Sequence, residues 1–218
     1  PDTLAVHAGV KPDPQTGAVM TPIYATSTYA HKSPGEHSGY EYSRTQNPTR
    51  EVLEKSLAEL EGGKRAFAFS SGVAAQSAIL EILKPGDHIV AFDDLYGGTF
   101  RLFNEIKTKS SGITVTYVDL NKNFSKEIKK NTKMIWIETP TNPLLKITDL
   151  KRISRIAKKN KLITVCDNTF ATPFNQKPLN FGIDIVNHSL TKYINGHSDV
   201  IGGCLVIGKN RSLEKKIS

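Results

Sequence analysis

Apolar residues along this chain fall into two rhythms that take turns. Short continuous runs read as strands buried on both faces. They are Ala66-Phe67-Ala68-Phe69, Ile89-Val90-Ala91-Phe92, Val115-Thr116-Tyr117-Val118, Met134-Ile135-Trp136-Ile137, Leu162 to Cys166, Ile183-Asp184-Ile185-Val186 and Cys204-Leu205-Val206-Ile207. Between them, apolar residues recur at helical spacing. Val52, Leu53, Leu57 and Leu60 share one face of a helix that follows Pro48-Thr49 and stops at Gly62-Gly63. Ala75, Ala78, Ile79, Ile82 and Leu83 line a second, ended by Lys84-Pro85-Gly86-Asp87. Leu102, Phe103 and Ile106 face inward on a third, and Leu150, Ile153, Ile156 and Ala157 on a fourth. This alternation predicts an α/β domain with a largely parallel sheet covered by helices on both faces. Residues 1 to about 48, rich in Pro, Gly, Ser and Thr, lack the alternation and read as an irregular arm before a domain over 49–218.

Composition narrows the function classes. A hydrophobic share of 38% over 218 residues suffices for one domain with a substantial core. No run of 18 apolar residues predicts a membrane span, and Pro1 to His7 lack the pattern of a signal peptide. Cys166 and Cys204 lie far apart without paired-ligand spacing. They are expected to be reduced thiols in a cytoplasmic protein, with Cys166 in the core, and no metal is expected. The net charge of +8 is compatible with nucleic acid or with an anionic ligand. The lysines are dispersed over helix faces and ends, however, with no recognition signature, so no nucleic-acid partner is expected.

Candidate chemistry gathers where strands run into helices, the place where parallel sheets bind ligands. Ser70-Ser71-Gly72-Val73 is a small-residue turn whose backbone N–H groups suit an anion. A tight turn that binds nothing would look the same. Tyr96 could lay its ring over a planar group, or simply pack. Two prolines stiffen the loop around Asn142, which could face a ligand or cap a turn. Tyr42 and Arg44 add an aromatic ring and a phosphate-binding guanidinium to the arm. Lys192 follows two hydroxyls, Ser189 and Thr191, and suits imine chemistry; Asp167 ends an apolar run and could hold a cationic ring nitrogen. His197-Ser198-Asp199 is a poor hydrolase triad because consecutive side chains point apart. His188 and His197 are expected to be hydrogen-bonding histidines rather than metal ligands.

In order along the chain, these motifs resemble one family closely. They are Gly39-Tyr-Glu-Tyr-Ser-Arg44, Asn47-Pro-Thr-Arg50, Ser70-Ser-Gly-Val-Ala-Ala75, Asp94-Leu-Tyr-Gly-Gly-Thr99, Glu138-Thr-Pro-Thr-Asn-Pro143, Asp167-Asn-Thr-Phe-Ala-Thr-Pro173, Ser189-Leu-Thr-Lys-Tyr193 and Asn195-Gly-His-Ser-Asp-Val200. The resemblance is to the Cys/Met-metabolism enzymes that use pyridoxal 5'-phosphate (PLP), and runs from about Thr3 to Ile207. It implies the fold type I, aspartate-aminotransferase-like large domain, with a C-terminal small domain absent from these residues. Lys192 would hold PLP as an imine, and Asp167 would pair with the pyridine nitrogen. Tyr96 would stack on the ring and take part in catalysis. Gly72, Val73, Ser189 and Thr191 would hold the phosphate. Tyr42 and Arg44 would reach the phosphate of a neighbouring subunit, and Asn142 would lie near the substrate's carboxylate. A tetramer built as a dimer of dimers is implied, acting on a small amino-acid substrate.

The implied reaction is γ-replacement or γ-elimination on cystathionine or an activated homoserine ester, as in cystathionine γ-synthase and γ-lyase. Gly98 and the Gly196 to Val200 run resemble those enzymes more than methionine γ-lyases or O-acetylhomoserine sulfhydrylases. Synthase and lyase share every motif present. A β-lyase or methionine γ-lyase activity, or a non-catalytic fragment, is the alternative, and at least one substrate-carboxylate arginine of the family has no counterpart here.

Overall fold

The structure, a computed structural model, describes residues 2–208 and 211–217. Seven strands form one sheet: β1 (Arg65–Phe69), β2 (His88–Phe92), β3 (Thr114–Val118), β4 (Thr132–Glu138), β5 (Ile163–Asp167), β6 (Ile185–Ser189) and β7 (Gly203–Ile207). Their spatial order is β1-β7-β6-β5-β4-β2-β3. Strands β3, β2, β4, β5 and β6 pair in parallel, whereas β7 runs antiparallel between β6 and β1. The mostly parallel sheet read from the sequence is therefore present, with its one reversal at β7.

Among the described residues, eight α-helices accompany the sheet: α1 (Asp2–His7), α2 (Pro48–Glu61), α3 (Gly72–Leu80), α4 (Gly97–Arg101), α5 (Thr108–Ser110), α6 (Leu150–Lys159), α7 (Thr172–Asn175) and α8 (Arg211–Ile217). Strand β7 shows how both faces are covered. Leu205 and Ile207 join Ala75 and Ile79 of α3 in one apolar cluster, and Cys204 and Val206 join Leu57 and Ala58 of α2 in another. Alternate side chains of a strand point to opposite faces, so α2 and α3 sit on opposite sides. Local chemistry sets the helix ends. The Asn47 side chain accepts from Thr49 and Arg50 N–H at the start of α2, and Gly62 ends it at φ 71°. Ser71 Oγ accepts from Ala74 N–H at 3.0 Å to cap α3.

Several expected positions shift. The arm contains a short helix, α1, although Gly9 to Asn47 hold no further regular element. Leu53 is 44% exposed because α2 is buried only over its C-terminal half, at Leu57, Ala58 and Glu61. Ile106 is 52% exposed while Leu102 and Phe103 are buried. A π-helical stretch over Leu102–Lys107 widens the turn there and rotates Ile106 off the expected face. Helix α3 ends at Leu80, leaving Ile82 and Leu83 to pack from the following turn. Strand β6 begins at Ile185 and extends to Ser189, which brings Ser189 into the sheet. No described helix is long and apolar enough to cross a membrane. Cys166 and Cys204 are buried free thiols, and burial pushes both well above the ordinary thiol range.

The arm is hooked onto the start of α2 by backbone-directed bonds. Arg50 donates to the carbonyls of Ser43 and Thr45 at 2.7 and 2.9 Å. Asn47 Nδ2 donates to Tyr24 O at 3.1 Å, and Thr49 Oγ1 donates to Pro22 O at 3.0 Å. The Asn47-Pro-Thr-Arg50 motif is thus an anchor for the arm.

On the opposite edge of the chain's core, α3 meets the sheet without spacing. A Cβ at Gly203 would overlap the backbone of Ser71, and one at Gly72 would stand 2.9 Å from Ser189 Cβ. Gly203→Ala is expected to destabilise the chain by at least about 2 kcal/mol, since both partners at that contact are backbone. Chemical denaturation measures this, and an unchanged midpoint would rule the contact out.

Candidate active site

Topology brings six chain segments to one edge. The carboxyl ends of β1, β2, β4, β5 and β6 and the start of β7 converge there, because the antiparallel β7 pairs its Gly203 with Phe69 and with Ser189. Between them lies a cavity of about 270 Å³. Ser71, Gly72 and Val73 line it after β1, Tyr96 after β2, and Glu138, Pro140 and Asn142 after β4. Asp167, Thr169 and Phe170 enter from β5, Ser189, Thr191 and Lys192 from β6, and Gln76 and Ile201 complete the wall. Every residue proposed from the sequence is therefore in this cavity except Tyr42 and Arg44. Those two lie on the arm, with the Arg44 guanidinium carbon 5.1 Å from the Tyr42 ring centroid.

Asp167 is the best-supported acidic group. It is 6% exposed and accepts from four directions. Asn187 Nδ2 donates to Oδ2 at 2.8 Å and Gln76 Nε2 at 3.2 Å, while Thr169 donates its N–H and hydroxyl to Oδ1 at 3.0 and 2.5 Å. Gln76 is itself oriented by Thr99 Oγ1, which donates to Oε1 at 3.1 Å. These four donors, two on each oxygen, hold the carboxylate in place on the cavity wall and are all neutral, so its charge stays uncompensated there. The first N–H groups of α3, at Gly72 and Val73, have no acceptor within the helix, and both residues line the same cavity. Lys192 stands in the turn after β6, exposed, with no carboxylate within ion-pair distance among the described residues.

Tyr96 is 42% exposed and opens α4. Any Cβ at Gly98 would collide with its ring, so the glycine permits the observed ring position. Both Tyr96 and Asn142 hang from one carboxyl, that of Glu138. Its Oε2 accepts from Tyr96 N–H at 2.9 Å and its Oε1 from Asn142 N–H at 2.8 Å. Glu138, Gln76, Thr169 and Asn187 were missed from the sequence. Only Glu138 carried a signal, an acid ending an otherwise apolar strand. His197 hydrogen-bonds the carbonyl of Asn195 through Nδ1, and Asp199 accepts from Asn195, so no hydrolase triad is formed there.

Burial, then the Asp167 charge, pushes the Glu138 carboxyl up to about 8, against the lowering effect of the two N–H donors. In the unfolded chain it returns to its ordinary 4.5, so the folded chain holds an extra proton between these values. The stabilisation from this group is complete below 4.5 and is lost as the pH rises through about 8. Glu138→Gln removes the titration and one acceptor, which costs about 1–3 kcal/mol. The expected result is a flatter dependence of unfolding free energy on pH across that window, read by denaturation at a series of pH values. A slope equal to that of the unsubstituted chain would refute the assignment.

Comparison with known proteins agrees with this geometry. The family model described as "Cys/Met metabolism PLP-dependent enzyme" matches residues 2–218. The chain is 56% identical to a cystathionine beta-lyase of Coxiella burnetii over 218 residues, covering 99% of this chain and 56% of that protein. It is 51% identical to a cystathionine gamma-lyase of Bacillus subtilis, covering 99% of this chain and 57% of that one. A crystal structure of cystathionine gamma-lyase from Lactobacillus plantarum complexed with L-serine superposes with a TM-score of 0.95 at 46% identity, over 99% of this chain and 56% of that one. The chain thus spans little more than half the length of these relatives. It belongs to the Cys/Met metabolism PLP-dependent enzyme family.

Proposed function

We propose that this chain forms the PLP-binding part of an enzyme that performs γ-replacement or γ-elimination on cystathionine or an activated homoserine ester. The observation that carries the reading is one cavity shared by Lys192, Asp167 and the open N-terminus of α3. The residues fit the cofactor. A buried carboxylate held by neutral donors and an anion-binding helix start line the same cavity.

In this reading Gly72 and Val73 N–H, with the Ser189 and Thr191 hydroxyls, take the phosphate. Asp167 would pair with the protonated ring nitrogen, and Tyr96 would stack on the ring. When bound, PLP supplies an electron-withdrawing ring conjugated to the substrate's α-carbon. Lys192 would hold the group through Nζ, and its amine, when free, would be placed to take and return protons at the substrate's carbons. Asn142, held by Glu138, lies near the substrate's carboxylate. Tyr42 and Arg44 act on a neighbouring subunit's phosphate, in a cytoplasmic tetramer built as a dimer of dimers. The arm's placement outside its own chain's cavity supports that exchange, and the two buried free thiols fit a reducing compartment. Residues 1–48 serve as the arm and 49–218 as the cofactor-binding domain. β-Elimination from cystathionine is a second reading, favoured by the name of the 56%-identical relative.

Two measurements test this. The PLP-loaded protein is expected to be yellow, with borohydride fixing the cofactor on Lys192; Lys192→Ala retains PLP through the phosphate but yields no fixed adduct. A protein that stays colourless and unlabelled after PLP is added would sink the reading. Supplied with cystathionine alone, a γ-lyase releases cysteine and an oxo acid, a β-lyase homocysteine and pyruvate. A synthase instead makes cystathionine from cysteine and an activated homoserine ester.

A further inference from the structure

The cavity residues occupy one face of the strand ends, and a second polar set occupies the other. Register places Glu138, Asp167 and Asn187 side by side on β4, β5 and β6, with Ser189 two residues on. The intervening positions, Thr139, Asn168 and His188, turn the opposite way. Asn168 and His188 meet Glu61, the last residue of α2, which is 1% exposed. Glu61 Oε1 accepts from Asn168 Nδ2 at 2.8 Å and lies 2.5 Å from His188 Nε2. Asn168 also donates to the Gln176 carbonyl at 2.8 Å. Gln176 Nε2 reciprocates to Asn168 Oδ1 at 2.9 Å and donates to the Thr139 carbonyl at 3.0 Å.

One chain of bonds thus ties the ends of β4, β5 and β6 together behind the cavity. Each tie lies on the residue next to a cavity group: Thr139 beside Glu138, Asn168 beside Asp167, His188 beside Ser189. Its placement is costly to the fold. Asn168 and His188 are fully buried, and Glu61 Oε2 and His188 Nδ1 have no hydrogen-bond partner. A buried polar group kept at such cost holds geometry that apolar packing would leave looser. Glu61 and the anchor at Asn47 to Arg50 are opposite ends of the same helix.

The geometry points to Glu61 as a positioning residue for the PLP site: through Asn168 and His188, from behind the sheet, it sets where Asp167 and Ser189 stand. This rests on the PLP reading above. It goes beyond that reading in assigning a role to a residue that touches neither cofactor nor substrate.

The test uses the full chain, prepared without cofactor and titrated with PLP. Glu61→Ala strands two buried donors and is expected to weaken PLP binding about tenfold or more and to shift the bound cofactor's absorbance band. Glu61→Gln keeps the Oε1 acceptor and is expected to restore both to within about threefold and to the original band. Should Glu61→Ala fail to fold, Gln176→Ala breaks the links to Thr139 and Asn168 from a half-buried position and is expected to change the band in the same direction. Folded variants with lowered cofactor-free melting temperature but unchanged PLP affinity and band would make the network merely structural and overturn the proposal. If the unsubstituted protein takes up PLP while the variants match it, this inference alone fails. If the unsubstituted protein takes up none, the PLP reading fails and this one with it.

Discussion

A strand can offer each face only every second side chain, and the chemistry at this sheet's edge is organised by that limit. Asp167 and Glu138 share a register line with Asn187, so the acidic groups, their donor and Ser189 confront the same space. A slip of one residue in β5 would carry Asp167 to the α2 side and bring Asn168 into the cavity. Register is held against such a slip by long apolar runs on both sides, with Trp136, Ile137, Val165 and Cys166 all fully buried. The position of the site is therefore a property of the core.

The same limit explains why so many polar groups are buried here. Asp167, Glu138, Asn187, Asn168, His188 and Glu61 are each less than a tenth exposed. In a sheet covered on both faces, a functional group at a strand end is necessarily close to the core and must be supported by partners rather than by water. Asp167 solves this with four donors and Glu138 with two backbone N–H groups. Glu138 also relieves charge crowding by keeping a proton, its carboxyl pushed up to about 8. Two adjoining carboxyls can then coexist in one dry site.

How much of this was legible beforehand depends on the range of the interaction. The strands and the stop of α2 at Gly62 are set by neighbours within a few residues, and the sequence pattern showed them. The cavity residues were readable because strand-end turns are local features too. The support was not. Gln76 reaches Asp167 across 91 positions, Tyr96 reaches Glu138 across 42, and Asn168 reaches Glu61 across 107. No periodicity encodes a partner at that distance. Leu53 failed for a related reason: helical spacing names a face, but the neighbours decide how far along the helix that face is covered. Ile106 failed because the π-helical turn breaks the spacing itself.

The anchor between arm and α2 carries a consequence for how this chain can change over evolutionary time. Arg50, Asn47 and Thr49 grip main-chain carbonyls of Pro22, Tyr24, Ser43 and Thr45, atoms that every residue supplies. The path of the arm is thus held by three side chains at one end, with Tyr40 and Ser43 adding bonds along it, while the side chains of Tyr42 and Arg44 take no part in that grip. Substitutions at Tyr42 and Arg44 can alter what the arm presents without altering where it runs. A segment tethered in this manner is an evolvable probe: its tip can be retuned for a new contact while the fold that carries it stays unchanged.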